Sequence, residues 1–230
     1  MKEKDIEPVP MTAKEIHDAC TILEGRPGRI GKEIQDGLEL VKKYPKSVSV
    51  FGSTKTTEGA PDYEKARNLT RKIVEQTGYA VVTGGSSGIM EAANRGAFEA
   101  KGDSIGLNIK LPHEETTNSY VTNMLAFHYF FTRKVSLAFS AEAYIYFPGG
   151  FGTLDEFFEI LTLVKTRKIE KVPIILVGNR YWNPIDRIVR EHLYEKFGTI
   201  DKRDMNLYTI TEDESEIIDI IKNAPLRKED

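Results

Sequence analysis

Residues Pro148 to Glu156, PGGFGTLDE, place a glycine-rich turn directly before a carboxylate. Gly149, Gly150 and Gly152 admit backbone angles closed to other residues and let a ligand approach the main chain closely. Pro148 fixes the entry. The apolar run before it, Ala143 to Phe147, reads as a buried strand, and after it Leu154, Phe157, Phe158, Leu161 and Val164 recur at helical spacing. Such a loop offers free N–H groups at a helix N-terminus, where the dipole favours a phosphate or another anion. Glu156 then stands one turn further on, beside whatever is bound. The same residues carry a second reading, because Thr153-Leu154-Asp155-Glu156 also fits the S/T-x-x-E capping box that only closes off a helix. Glycine density favours the ligand-binding reading, since a capping box needs no glycine and each one costs backbone entropy.

A pair of cations is the next candidate. Arg133 and Lys134 are adjacent in the aromatic segment Phe127 to Phe139, read as a helix. Long basic side chains can snorkel to water from a half-buried helix, or this pair can meet a substrate's phosphate, sugar or base; the segment alone leaves both open. Two more strand-to-loop junctions carry small residues, Gly52-Ser53-Thr54 and the GGSSG loop Gly84 to Gly88. The second lacks G-x-G-x-x-G spacing, and no acidic residue ends the following strand to hold an adenosine ribose, which argues against an NAD enzyme. The lysine and Ser/Thr of a Walker loop are missing too. The expectation is a phosphate-bearing small molecule, with no redox cofactor.

To bring these loops together the chain needs a parallel sheet. From Lys46 onward, short β-branched runs alternate with helical patterns: strands at 47–51, 79–83, 103–107, 143–147 and 173–177, with a last edge strand at 208–211. Helices are expected over about 61–76, from the GGSSG loop to near Gly102, over 182–196, and to near Asn223. The polar stretch 108–119 reads as a loop long enough to reach over a site. This predicts an α/β, Rossmann-like doubly wound sheet with helices on both faces, residues 46–230. Residues 1–45 read as a helical N-terminal extension broken by the Gly/Arg-rich stretch Gly25 to Gly31. In such sheets ligands lie outside the carboxyl ends of the strands.

Composition narrows the ligand further. The 230 residues, 40% apolar, can bury one sizeable core. Thirty-two basic and 35 acidic residues are well mixed, for a net charge of −3, so no basic face points to nucleic acid. No apolar run is long enough for a bilayer. Cys20 is the only cysteine and His17, His113, His128 and His192 are scattered, which rules out an internal disulfide and suggests no metal site. A reducing, cytoplasmic location is the expectation.

GGSSGIMEAANRGA, FTRK and PGGFGTLDE, in that order, resemble the Lonely Guy (LOG) proteins, which are cytokinin riboside 5'-monophosphate phosphoribohydrolases. The resemblance runs from about Lys46 to beyond Thr162, and the helical extension and NRGA sequence resemble the longer bacterial branch. Nothing resembles a pyridoxal-phosphate lysine site, despite older naming of such sequences as lysine decarboxylases. The resemblance implies hydrolysis of the N-glycosidic bond of a nucleoside 5'-monophosphate to free base and ribose 5-phosphate, without cofactor or metal. It implies that Glu156 stabilises the oxocarbenium-like state and activates water, and that Arg133 orients the nucleotide or assists departure of the base. Lys134 matches the neighbouring basic position. Gly149, Gly150, Gly152 and Thr153 would hold the phosphate, with Gly84, Gly85 and Gly88 on the other wall and Thr162 a further ligand position. Where the plant enzymes have histidine, a variable residue and Arg-Lys, this chain has Phe131-Thr132-Arg133-Lys134, so an AMP-like base and a cytokinin base are equal candidates. Glu114 and Glu115 are a further candidate pair for the sugar. Family members are at least dimers, with sites near the interface. A non-catalytic nucleotide or cofactor carrier of the same fold, and a transferase moving the ribosyl phosphate elsewhere, are the competing readings.

Overall fold

The computed structural model describes residues 25–110 and 117–227. Seven strands form one all-parallel sheet: β1 (Ser47–Phe51), β2 (Ala80–Thr83), β3 (Ser104–Ile109), β4 (Asn123–Phe127), β5 (Ala143–Tyr146), β6 (Ile174–Leu176) and β7 (Thr209–Ile210). Their order is β4-β3-β2-β1-β5-β6-β7. The helices are α1 (Arg26–Val41), α2 (Pro61–Thr77), α3 (Ile89–Glu99), α4 (Phe130–Ala138), α5 (Phe151–Lys165), α6 (Asn179–Ile188) and α7 (Glu214–Asn223).

Strand alternation divides the core in two. Val48 and Val50 of β1, and Ala143, Ile145 and Phe147 in and just after β5, meet Leu69 and Ile73 of α2, Ala92 and Ala93 of α3, and Ile217 and Ile221 of α7. Phe51, Tyr144 and Tyr146 point the other way, into a layer with Val41 of α1, Leu137 of α4, Phe157 and Ile160 of α5, and Trp182 of α6. Every residue of β1 is buried, as a parallel sheet covered on both faces requires. Pro61 opens α2 and Gly78, in the left-handed region at φ 69°, closes it.

Three sequence expectations are corrected and one strand is added. Residues 123–126, given no element between the loop ending at 119 and the aromatic segment, join Phe127 in edge strand β4, paired in parallel with β3; half-exposed, with one short apolar run after a polar asparagine, it does not stand out from the aromatic helix that follows. The aromatic helix therefore starts at Phe130 rather than Phe127. The helix expected from Trp182 starts at Asn179, passes Pro184 and widens into π-helical turns over Val189–Lys196. Finally, the stretch expected as a break, Gly25 to Gly31, is helical from Arg26 onward: Gly25 is the N-cap of α1, Pro27 sits in its first turn, where the missing N–H costs nothing, and Gly28 and Gly31 are open to their surroundings.

Candidate active site

The sheet's chain path reverses between β1 and β5, and loops leaving these strands and β2 meet there, as expected at a topological switch point. Backbone bonds lock the three loops together. The Ser53 N–H donates to the Pro148 carbonyl at 3.0 Å, while the Ser53 carbonyl accepts from the Ile89 N–H at 3.0 Å. Gly88, at φ 71°, lies so close that a Cβ would come within 2.2 Å of the Ser53 carbonyl oxygen. On the far side, Tyr181 donates its hydroxyl to the Gly149 carbonyl at 2.7 Å and the Trp182 indole donates to the Tyr146 carbonyl at 3.1 Å. The asparagine of NRGA is a buried pin: Asn94 accepts from the Thr83 hydroxyl at 2.6 Å and donates to the Ser104 hydroxyl at 2.9 Å. Asn118 donates to Asn94 Oδ1 and to the Ser86 carbonyl, both at 3.0 Å, tying the chain before β4 to the glycine loop.

Between these loops lies a cavity of about 410 Å³, lined by Gly84, Ser86, Arg133, Gly150, Gly152, Thr153 and Glu156 among others. Helix α5 starts at Phe151 with Gly150 as its N-cap, so Thr153 is already inside the first turn. The capping-box reading of Thr153 to Glu156 therefore fails, because the cap position it needs lies three residues earlier. Glu156 lines the cavity instead, with 4% of its surface exposed. Gly150 has an ordinary extended backbone, and a Cβ there would meet nothing within 4 Å. Neither conformation nor packing demands glycine at this position.

Arg133 and Glu156 form the electrostatic centre. Arg133 Nη2 stands 3.9 Å from Glu156 Oε1, and both Arg133 Nε and Glu156 Oε2 are buried without a hydrogen-bond partner among the described residues. Burial pushes the Glu156 carboxyl up to about 7, opposed by the Arg133 charge and reinforced by Glu159. Burial likewise pushes the Arg133 guanidinium below its ordinary value, with Glu156 and Asp155 opposing. The Arg133 guanidinium also lies over the Phe130 ring, 5.3 Å from its centroid.

Lys134 is engaged elsewhere. Its ammonium reaches Asp155 at 2.8 Å and Glu159 at 3.2 Å, joining α4 to α5 beside the Arg133–Glu156 pair. Burial works against its charge, and the two carboxylates outweigh this and raise its pKa. Gly85, Gly88 and Gly149 shape the loops without lining the cavity; a Cβ on Gly149 would collide with the Thr153 side chain. Thr162 is outward on α5, its hydroxyl donating to the Phe158 carbonyl at 2.6 Å. Glu114 and Glu115 lie outside the described residues. The cavity also takes in Ser53, Thr54, Lys55, Met90, Asn108 and Phe130, none of them among the sequence candidates for the site. Ser53 and Thr54 had a signal, a turn at the end of a strand; Lys55, one residue beyond, had none.

Residues 90–221 match the family model described as "Possible lysine decarboxylase". The chain is 28% identical over 160 residues to a cytokinin riboside 5'-monophosphate phosphoribohydrolase of Rhodococcoides fascians, covering 67% of this chain and 79% of that one. It is 27% identical over 147 residues to an Arabidopsis thaliana protein of the same name, covering 64% of each. Among solved structures, it is similar to the molybdenum cofactor carrier protein of Chlamydomonas reinhardtii, with a TM-score of 0.58 and 22% identity, covering 78% of this chain and 97% of that one. The molybdenum cofactor binding protein of Rippkaea orientalis gives 0.53 and 24%, covering 76% and 93%. At that identity the two structures speak for the fold alone. No helix among the described residues is long and apolar enough to cross a membrane.

Proposed function

We propose, on the premise that the chain belongs to the Lonely Guy family, that it hydrolyses the N-glycosidic bond of a nucleoside 5'-monophosphate, releasing the base and ribose 5-phosphate. One observation carries the reading: a buried carboxylate and a half-buried guanidinium share a cavity wall beside a glycine loop, each with a buried polar atom unmet among the described residues. Breaking the bond builds positive charge on the ribose, and a carboxylate held in a low-dielectric wall stabilises that charge far better than one in water. Ionised Glu156 takes this role and accepts a proton from the attacking water. Arg133, always charged, orients the nucleotide and stabilises negative charge developing on the departing base. The phosphate rests on the amides of Gly150 and Gly152 and the Thr153 hydroxyl, at the positive end of α5, with Gly84 opposite.

The base is adenine or a cytokinin base, and both are to be tried. A second copy of the chain is the expected partner, because Phe151 and Phe158 expose 93% and 40% of their surface on one stripe of α5. In that assembly Thr162, on the same stripe, faces the second copy rather than its own cavity. A reducing cytoplasm suits the lone cysteine.

The deciding experiment incubates purified protein with AMP, other nucleoside monophosphates and isopentenyladenosine monophosphate, and follows base and ribose 5-phosphate by chromatography. Binding of a nucleotide with no base released from any of them overturns hydrolysis and leaves the carrier reading. Base release with ribosyl phosphate recovered on an added acceptor identifies a transferase.

A further inference from the structure

We infer that Glu33 of α1 is a positioning residue for Arg133, its carboxylate closing the N-terminal end of α4 from outside that helix. The inference rests on the placement of Arg133 in the site proposed above. Helix α4 begins after Tyr129, which has no oxygen able to reach back to the first-turn amides, and no side chain of its own caps it. From 95 residues away Glu33 instead supplies acceptors for the N-cap amide, the amide before it and the Thr132 hydroxyl. Its Oε1 accepts the His128 N–H at 2.8 Å; its Oε2 lies 3.3 Å from the Tyr129 nitrogen and 2.7 Å from the Thr132 hydroxyl. In a capping box the third helical residue contributes the carboxylate that receives the N-cap amide. Here that third residue is Thr132, and a second helix provides the carboxylate.

The consequence reaches Arg133 directly. Arg133 follows Thr132, and its own N–H donates to the Tyr129 carbonyl at 3.3 Å in the first turn of α4. First turns fray unless their polar groups are satisfied, and Glu33 ties down residues 128, 129 and 132 at once. A negative charge at this end also complements the helix dipole. One turn further along both helices, Gly37 meets Ser136 so closely that a Cβ on Gly37 would lie 2.0 Å from the Ser136 hydroxyl oxygen. The pairs Glu33–Thr132 and Gly37–Ser136 thus fix α1 and α4 in register. Phe130, Arg133 and Leu137, on the neighbouring stripe of α4, line the cavity. Helix α1 is by this reading a working part of the site rather than an appendage to it.

The test compares wild-type protein with Glu33→Ala and Glu33→Gln, each also in an Arg133→Gln background, by nucleotide hydrolysis and by NMR hydrogen exchange. In Glu33→Ala the His128 and Tyr129 amides should exchange about tenfold faster or more, with α5 amides unchanged. Its kcat should fall by about tenfold, with KM for the nucleotide moving much less, because a displaced catalytic group costs rate more than ground-state binding. Glu33→Gln, which keeps one acceptor oxygen, should fall between. With Arg133 already replaced, removing Glu33 should cost no further activity. Unchanged exchange at 128 and 129, or an equal loss of kcat in both backgrounds, overturns the inference. If wild-type protein hydrolyses no nucleotide, the proposed function fails by itself, and the exchange measurement still decides whether Glu33 closes α4. If Glu33→Ala does not fold, Glu33→Gln carries both measurements.

Discussion

The Arg133 guanidinium and the Glu156 carboxylate approach to 3.9 Å without closing into a hydrogen bond, although Glu156 is buried and Arg133 is mostly so. Two opposite charges in that setting normally pair tightly, since an unmet buried charge is costly. The next pair outward, Lys134 with Asp155 at 2.8 Å, does close. The inner pair therefore faces the cavity with unsatisfied capacity, which a substrate carrying both an anionic and an incipient cationic end can use.

Stability should fall as pH rises through the window set by Glu156. Its carboxyl titrates near 7 in the folded protein against an ordinary 4.5, so between these values the unfolded chain releases a proton that the folded one keeps. Stability from this group is full below about 4.5 and is lost by about 7, on the order of 3 kcal/mol in all. Glu156→Gln removes that dependence, and should be the more stable protein at pH 8 and close to wild type at pH 4.5. Urea unfolding at the two pH values measures the difference; a variant less stable at pH 8 contradicts the buried, uncompensated carboxylate.

The same substitution should stop turnover while preserving binding. Glutamine keeps the shape and loses the charge, so we expect a drop of about 10²-fold or more in kcat, with AMP affinity by calorimetry within a few-fold of wild type. Turnover at the wild-type level would retire Glu156.

A pH profile distinguishes the ionised from the protonated carboxylate. If the carboxylate form works, kcat/KM rises through about pH 7 and levels off, reporting the free enzyme. Arg133 holds this pKa down, so Arg133→Gln should move the acid limb to higher pH as well as lowering the rate. A profile that falls over the same range assigns the proton-bearing form instead.

Gly150 and Gly88 should respond oppositely to alanine. At Gly150 the added methyl meets no protein atom, so folding should be near normal while KM for the nucleotide rises about tenfold or more, by obstruction of the phosphate. At Gly88 the left-handed backbone and the contact with Ser53 predict a loss of about 2 kcal/mol or more in stability. Thermal unfolding and steady-state kinetics on both variants settle the contrast; a destabilised Gly150→Ala would mean that the glycine serves the fold.

Wild type should give a dimer or higher assembly by light scattering, and replacing Phe151 and Phe158 together by aspartate should yield a monomer, since two exposed rings are exchanged for charges that cannot be buried unpaired. Equal masses for the two proteins would remove this stripe from any interface.

What the sequence determined by itself was the alternation of strands and helices, the three small-residue loops at strand ends, and Arg133 and Glu156 as the charges worth attention. These are local signals: apolar runs, 3.6-residue spacing and glycine clusters depend on neighbours a few positions away. Edge strand β4 escaped because an exposed strand need not alternate cleanly, and α1 escaped its true start because Gly28 and Gly31 look like breakers unless the helix's support is known. Only the tertiary structure decided that Thr153 lies inside α5 rather than at its cap, that Lys134 is taken up by Asp155 and Glu159, and that Lys55, Met90 and Phe130 complete the cavity. It alone brought Glu33 to the start of α4. Each of those facts turns on which groups meet across the sheet and how deeply they are buried, and chain spacing carries no record of either.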